Sequence, residues 1–148
     1  MPPETLFTIC STAVLPAWLL LALAPGWKWT HHLVHSAWIP MLLGIVYVGV
    51  FATNAESPEG GGFGSLEGVM LLFTSPHAVL AGWIHYLAFD LFVGAWEVRD
   101  ARRHGLSHWM VVPCLALTLM LGPFGLLTYL VLRAALKREV TLLETAPA

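Results

Sequence analysis

The residues best placed to do chemistry lie in one apolar run, Trp83-Ile84-His85-Tyr86-Leu87-Ala88-Phe89-Asp90-Leu91-Phe92-Val93-Gly94-Ala95-Trp96-Glu97-Val98-Arg99-Asp100. Asp90 is flanked on both sides by large apolar side chains. In hydrocarbon an ionised carboxylate needs a partner or takes up a proton, so a carboxyl at that depth points to function. Helical geometry ranks the combinations. Asp90 and Glu97 are two turns apart on nearly one face, and Glu97, Asp100 and His104 continue a polar stripe if the helix runs on. His85 lies about 140° around the helix from Asp90, so the two share a partner only if it sits between them or the helix unwinds. His108, and the group His31, His32 and His35, can reach the same membrane end as Glu97 and Asp100.

Acid–base work on an apolar molecule suits this set. Asp90, kept protonated by burial, would be the acid, and His85 or Asp100 the base. Phe89, Phe92, Trp96 and Phe124 would line the path of a long hydrophobic substrate entering between helices from the bilayer. Glu97, Asp100, His104 and His108 also offer oxygen and nitrogen donors for a divalent metal, although their spacing matches no standard metal motif and the sequence requires no cofactor. The chain has no glycine-rich phosphate loop, no serine nucleophile elbow and no HExxH.

Each residue also has a plainer role. Asp90 can hold an interhelical hydrogen bond, and His85, His77 and His104 can be packing residues. Glu97, Arg99, Asp100, Arg102 and Arg103 can form a solvated helix end, with the arginines at lipid headgroups. The three histidines near residue 31 can be interfacial, and the seven tryptophans can form belts.

Something must hold these residues at membrane depth, and the composition says what. Of 148 residues 57% are hydrophobic and only 11% charged, against about a quarter charged in soluble domains. A soluble chain this short could not hide so much apolar surface. The expected fold is all-α, a polytopic four-transmembrane-helix bundle forming one integral membrane domain over residues 1–148. Spans of about 20 apolar residues fall at roughly 5–24, 33–53, 76–96 and 109–132. A short interfacial or re-entrant helix is expected at about 65–74, capped by Ser65 after a flexible loop from Ser57 to Gly64, and a tail at 133–148. Pro123, in Gly122-Pro123-Phe124-Gly125, should kink the fourth span and free a backbone carbonyl. Contacts at Gly82, Gly94, Gly122 and Gly125 read as close helix packing.

The remaining features narrow the class. Cys10 and Cys114 lie in apolar runs and read as packing residues. No Lys or Arg precedes the first apolar run, so it reads as a retained helix rather than a signal peptide. The net charge is −2 with no basic tract, which argues against nucleic acid as a partner. Membrane lipid and a second copy or an enzyme partner in the membrane are the partners expected. With four spans, Lys28, Arg99, Arg102 and Arg103 fall on one side and Arg133, Lys137 and Arg138 on the other. That balance leans to both termini outside the cytoplasm.

The runs WIHYLAFDLFVGAWEVRDARRHG and HWMVVPCLALTLMLGPFGLLTYLVLR, with FGSLEGVMLLFTSPHAVLAGW and WIPMLLG before them, carry a family resemblance. The chain resembles the abscisic-acid-deficient-four-like family of integral membrane proteins, associated with neoxanthin synthesis, in its bacterial type. The resemblance covers about Trp27 to Arg133. It is most specific in the pattern His85, Asp90, Asp100 and in the Pro-Cys and Gly-Pro-x-Gly features that follow. It implies a four-helix membrane protein of the bacterial inner membrane. It also implies a hydrophobic isoprenoid as the substrate partner and an isomerase-like activity on it, opening a carotenoid or xanthophyll epoxide or acting on another isoprenoid lipid without net redox change, and puts His85, Asp90, Asp100 and His108 at the site. A non-catalytic lipid-binding accessory subunit and a small proton- or ion-coupled transporter subunit are the competing readings.

Overall fold

A computed structural model describes residues 1–53 and 58–142. Ser57 of the expected loop and residues 143–148 of the expected tail lie outside the described residues. The described chain is helical, in the order α1 (Pro3–Leu23), α2 (Lys28–Thr30), a π-helical turn (His31–His35), α3 (Trp38–Thr53), α4 (Leu66–Leu72), α5 (Pro76–Arg103), α6 (His108–Leu121) and α7 (Pro123–Lys137).

Three segments are long and apolar enough to cross a membrane: Pro3–Leu23, Lys28–Thr53 and Pro76–Arg103. This agrees with an all-α integral membrane protein. The second begins at Lys28 rather than near residue 33 and is broken at Ala37, where φ is 62°. The third runs past residue 96 to Arg103, which puts Asp100 on the helix.

α5 is the central element. The Trp83 indole donates to Ser11 Oγ at 2.9 Å, and the Trp18 ring lies where a Cβ on Gly94 would fall, 2.7 Å away. α1 therefore runs parallel to α5, and Gly94 allows the indole to pack on its backbone. α3 runs antiparallel, with Tyr47 beside His85 and the π turn beside Arg99. The interior between α1, α5 and α6 is built from Val14, Leu21, Ile84, Leu91 and Leu115, each at most 2% exposed.

The expected fourth span is two helices. In one continuous helix Gly125 would sit about 10 Å along the axis from Thr118. Instead, a Cβ on Gly125 would fall 2.1 Å from the Thr118 backbone nitrogen. The chain reverses at Gly122, whose φ is +45°, and α7 runs back beside α6. Tyr129 and Arg133 reach Asp100, and Lys137 Nζ donates to the Gly105 carbonyl at 3.4 Å. The 14 residues of α6 rise only about 21 Å, short of a hydrocarbon core of about 30 Å. α6 and α7 thus form a re-entrant hairpin whose tip lies against the middle of α5. A proline-induced kink was the expectation, and the left-handed turn at Gly122 makes it a reversal. The freed carbonyl is found: Pro123 has no N–H for Leu119, and the Tyr86 hydroxyl donates to that oxygen at 2.8 Å. Non-helical backbone at membrane depth is tolerated where protein satisfies it in this way.

The reversal changes the charge map. α7 ends where α6 began, so Arg133, Lys137 and Arg138 join Lys28, Arg99, Arg102 and Arg103 at one end of the bundle. All seven Lys and Arg of the chain lie there, while Glu4, Glu59 and Glu67 lie at the other end. The four-to-three division expected from four spans becomes seven to none, and the described ends of the chain lie at opposite ends of the bundle.

Candidate functional site

α5 presents different chemistry on two faces. Towards α3 and α4 it borders a cavity of about 520 Å³, within the range of small-molecule sites. Its walls include Tyr47 and Phe51 of α3, Phe63 and Phe73 around α4, and His77 and His85 of α5. Local sequence explains the wall. Ser65 caps α4 by accepting from the Gly68 N–H at 3.0 Å. Gly82 allows Phe73 to lie on α5, since a Cβ there would come 2.9 Å from the ring. His85 stacks on Phe89 with ring centroids 4.5 Å apart and faces Tyr47 at 6.3 Å. The imidazoles of His77 and His85 and the phenol of Tyr47, in a wall that is otherwise mostly apolar, can give and take protons.

Towards α6 and α7 the same helix carries the expected acidic stripe, with Asp90, Glu97 and Asp100 at 9%, 0% and 4% exposure. Asp90 sits under the hairpin tip. A Cβ on Gly122 would fall 2.9 Å from Asp90 Oδ1. One turn into the hairpin, the Thr118 hydroxyl donates to Glu97 Oε1 at 2.9 Å. Asp90 Oδ2 and Glu97 Oε2 are buried without a hydrogen-bond partner. At the next turn Arg133 donates to Asp100 Oδ2 at 2.8 Å, and the Tyr129 hydroxyl donates to the same oxygen at 2.5 Å. Arg133 is itself fully buried, with its guanidinium 5.9 Å from the Trp96 ring. His104 closes the stripe, donating from Nδ1 to the Asp100 carbonyl at 2.8 Å, with Nε2 3.3 Å from Glu139.

The expected site residues therefore divide. His85 faces the cavity. Asp90 faces the hairpin tip and Asp100 is bound to Arg133 and Tyr129. His108 meets the Ala22 carbonyl at 2.8 Å, tying α6 to the end of α1. The structure does not gather these four around one substrate. Phe89, Phe92 and Phe124 are at least half exposed on the outer surface, and Trp96 packs edge-on to Tyr129. The possible metal set is also dispersed: Glu97 is held by Thr118, His108 by Ala22, and Asp100 by Arg133. Among the described residues no group of three or more His, Cys, Asp or Glu side chains is arranged to hold a metal ion.

Comparison with known proteins gives the family. The sequence model of the ABA DEFICIENT 4-like family matches residues 5–129, from the first helix to the buried Tyr129. The chain belongs to that family. A curated relative, Protein ABA DEFICIENT 4, chloroplastic, from Arabidopsis thaliana, is 26% identical over 92% of this chain. The chain spans 64% of the length of that relative. No solved structure matches. In this ABA DEFICIENT 4-like chain, sequence reasoning missed Tyr47, Phe51, Phe63 and Phe73 as cavity residues, because they come from elements whose contacts only the fold reveals. It also missed Thr118, Tyr129 and Arg133 as partners of the acidic stripe. The Gly122-Pro123-Phe124-Gly125 run carried the signal for the reversal that brings them there.

Proposed function

We propose that the chain is an intramembrane isomerase-like enzyme acting on a carotenoid epoxide or another isoprenoid lipid, held by one end group in the cavity between α3, α4 and α5. The observation that carries this reading is the cavity itself. It is aromatic, it is large enough for a substituted ring, and it has Tyr47 and His85 within reach of a common ligand. Family membership supports the substrate class, through the association with neoxanthin synthesis that the resemblance implies.

The chemistry needs one proton in and one proton out. A donor protonates the epoxide oxygen, the ring C–O bond breaks, and a base removes a carbon-bound proton to form the new double bond. Atoms and oxidation state are conserved. Tyr47 and His85 take these two roles in the proposal, and Phe51, Phe63 and Phe73 exclude water from the cationic stage. Asp90 then serves the hairpin rather than the substrate.

The test is purified protein in detergent with a xanthophyll epoxide, with product followed by chromatography. General acid–base groups contribute about 10²–10⁴-fold, so His85→Ala and Tyr47→Phe should each lower turnover by at least ~10²-fold with the bundle intact. Full turnover in His85→Ala would end the proposal. Pigment bound stoichiometrically by the wild-type protein but never converted would favour a lipid-presenting accessory subunit instead.

A further inference from the structure

A second cavity, of about 590 Å³, adjoins the first near the start of α5. It arises from how α1 and α3 pack. Both lie along α5 rather than on each other, and a wedge opens between them. Its walls include Pro3 and Leu6 of α1, Val46 and Gly49 of α3 and Leu80 of α5. Gly49 leaves room on the α3 side, because a Cβ there would meet nothing within 4 Å. The wall suits hydrocarbon. Leu80 belongs to the buried core. Thr53, a polar member of the wall, turns its hydroxyl to its own helix, donating to the Gly49 carbonyl at 2.7 Å.

Val50 and His77 border both cavities. α3 and α5 are antiparallel, with Tyr47 beside His85, so their seam runs from that pair towards Thr53 and His77. One cavity lies on each side of the last turns of that seam. In the first cavity Tyr47 and His85 stand at one end. His77 stands eight residues earlier on α5, about 12 Å along the axis. A ligand whose end group sits between Tyr47 and His85 has its remaining length free to run to the residue where the second cavity begins. Each cavity alone lies within the range of small-molecule sites, and together they pass its upper end of ~1,000 Å³.

We propose that the two cavities form one site for a long isoprenoid. The reacting end group lies between α3, α4 and α5, and the apolar chain crosses beside His77 into the wedge between α1 and α3. The class of ligand rests on the isomerase reading above, whereas the path rests on Val50 and His77 being common to both walls. The wedge then selects by length, favouring a molecule whose chain fills it over an end group alone.

Competition binding to the purified full chain in detergent, read by native mass spectrometry, tests this. The two ligands are a full-length xanthophyll epoxide and the same epoxide ring cut back to a short side chain. One methylene in an apolar pocket already changes binding about tenfold or more, so the wild-type protein should prefer the full-length molecule by at least about tenfold. Gly49→Phe, and separately Val46→Phe one turn earlier, place a ring in the wedge and should cut that preference about tenfold or more. Gly44→Phe is the control. Its Cβ also meets nothing within 4 Å, and it is in neither wall, so the preference should hold. Equal wild-type affinity for the two ligands, or an unchanged preference in both wedge variants, would overturn the two-chamber site and leave the wedge to acyl chains of the bulk lipid. Turnover followed on the same samples separates the two readings. A length preference that the wedge variants abolish, without conversion of either ligand, ends the isomerase reading and leaves the two-chamber site standing. Conversion of both ligands without a length preference does the reverse.

Discussion

Gly125→Ala isolates the re-entrant hairpin from everything else in the fold. The added Cβ would stand 2.1 Å from Thr118 N, 2.2 Å from Thr118 Oγ1 and 2.4 Å from Thr118 Cα. Ordinary carbon contacts are about 3.5–4.0 Å, so α6 and α7 must part by more than ~1 Å, and backbone atoms cannot rotate aside. Overpacking of this kind costs about 1–3 kcal/mol. The same movement draws the Thr118 hydroxyl from Glu97, taking a donor from a fully buried carboxyl and adding about 1–3 kcal/mol. The expected total, roughly 2–6 kcal/mol, is a large part of the ~5–15 kcal/mol that holds a typical domain. The assay is unfolding in detergent followed by tryptophan fluorescence, which reports the packed Trp18 and Trp96. Gly44→Ala is the control: nothing lies within 4 Å of a Cβ there, so stability should hold or rise by up to ~1 kcal/mol. If Gly125→Ala unfolds with the wild type and Gly44→Ala, α6 and α7 do not touch at Gly125 and the hairpin is refuted.

Two further outcomes follow from the same geometry. Asp100→Asn or Arg133→Met alone should destabilise by about 3–5 kcal/mol, because each strands its buried partner, and the double variant should lose less than the sum of the two in a double-mutant cycle. Single cysteines at Glu4, Glu59 or Thr74 should react with a membrane-impermeant reagent from one side, and those at Lys28, Gly105 or Lys137 only from the other, the side on which positive charge is retained during insertion. Labelling of Lys137→Cys from the same side as Glu59→Cys would mean that α6 and α7 cross as one span.

The sequence was most legible where a single element decides the outcome. Apolar length located α1 and the start of α5, Ser65 announced the cap of α4, and Pro123 announced the orphaned Leu119 carbonyl. It was least legible where two elements meet. A mostly apolar run of 24 residues from Trp109 to Leu132 satisfies the length rule for one span, and nothing in hydropathy separates a crossing helix from two half-helices packed together. The decisive signal was steric: Gly122 for a positive φ and Gly125 for backbone contact, three residues apart around a proline. Once that turn was taken as a kink, the cations Arg133, Lys137 and Arg138 went to the wrong end, and the orientation count lost its meaning. The same step hid the partner of Asp100, because Arg133 looks like a span terminus until α7 folds back.

The stripe of carboxyls on α5 also answers to the hairpin packed against it. A re-entrant hairpin brings polar backbone to the middle of the bundle, and the central helix must meet it with polar side chains. Asp90 meets the tip, Glu97 meets Thr118 one turn away, and Asp100 meets Tyr129 and Arg133 near the headgroups. Each carboxyl is thus matched to a level of the hairpin. The opposite face of α5 has no such duty. His77 and His85 are not consumed by packing α6 or α7, and they border the aromatic cavity instead. A helix whose one face is committed to holding a hairpin has its other face free to meet a ligand, and for that reason the proposed isomerase assigns the chemistry to His85 rather than to the more conspicuous Asp90.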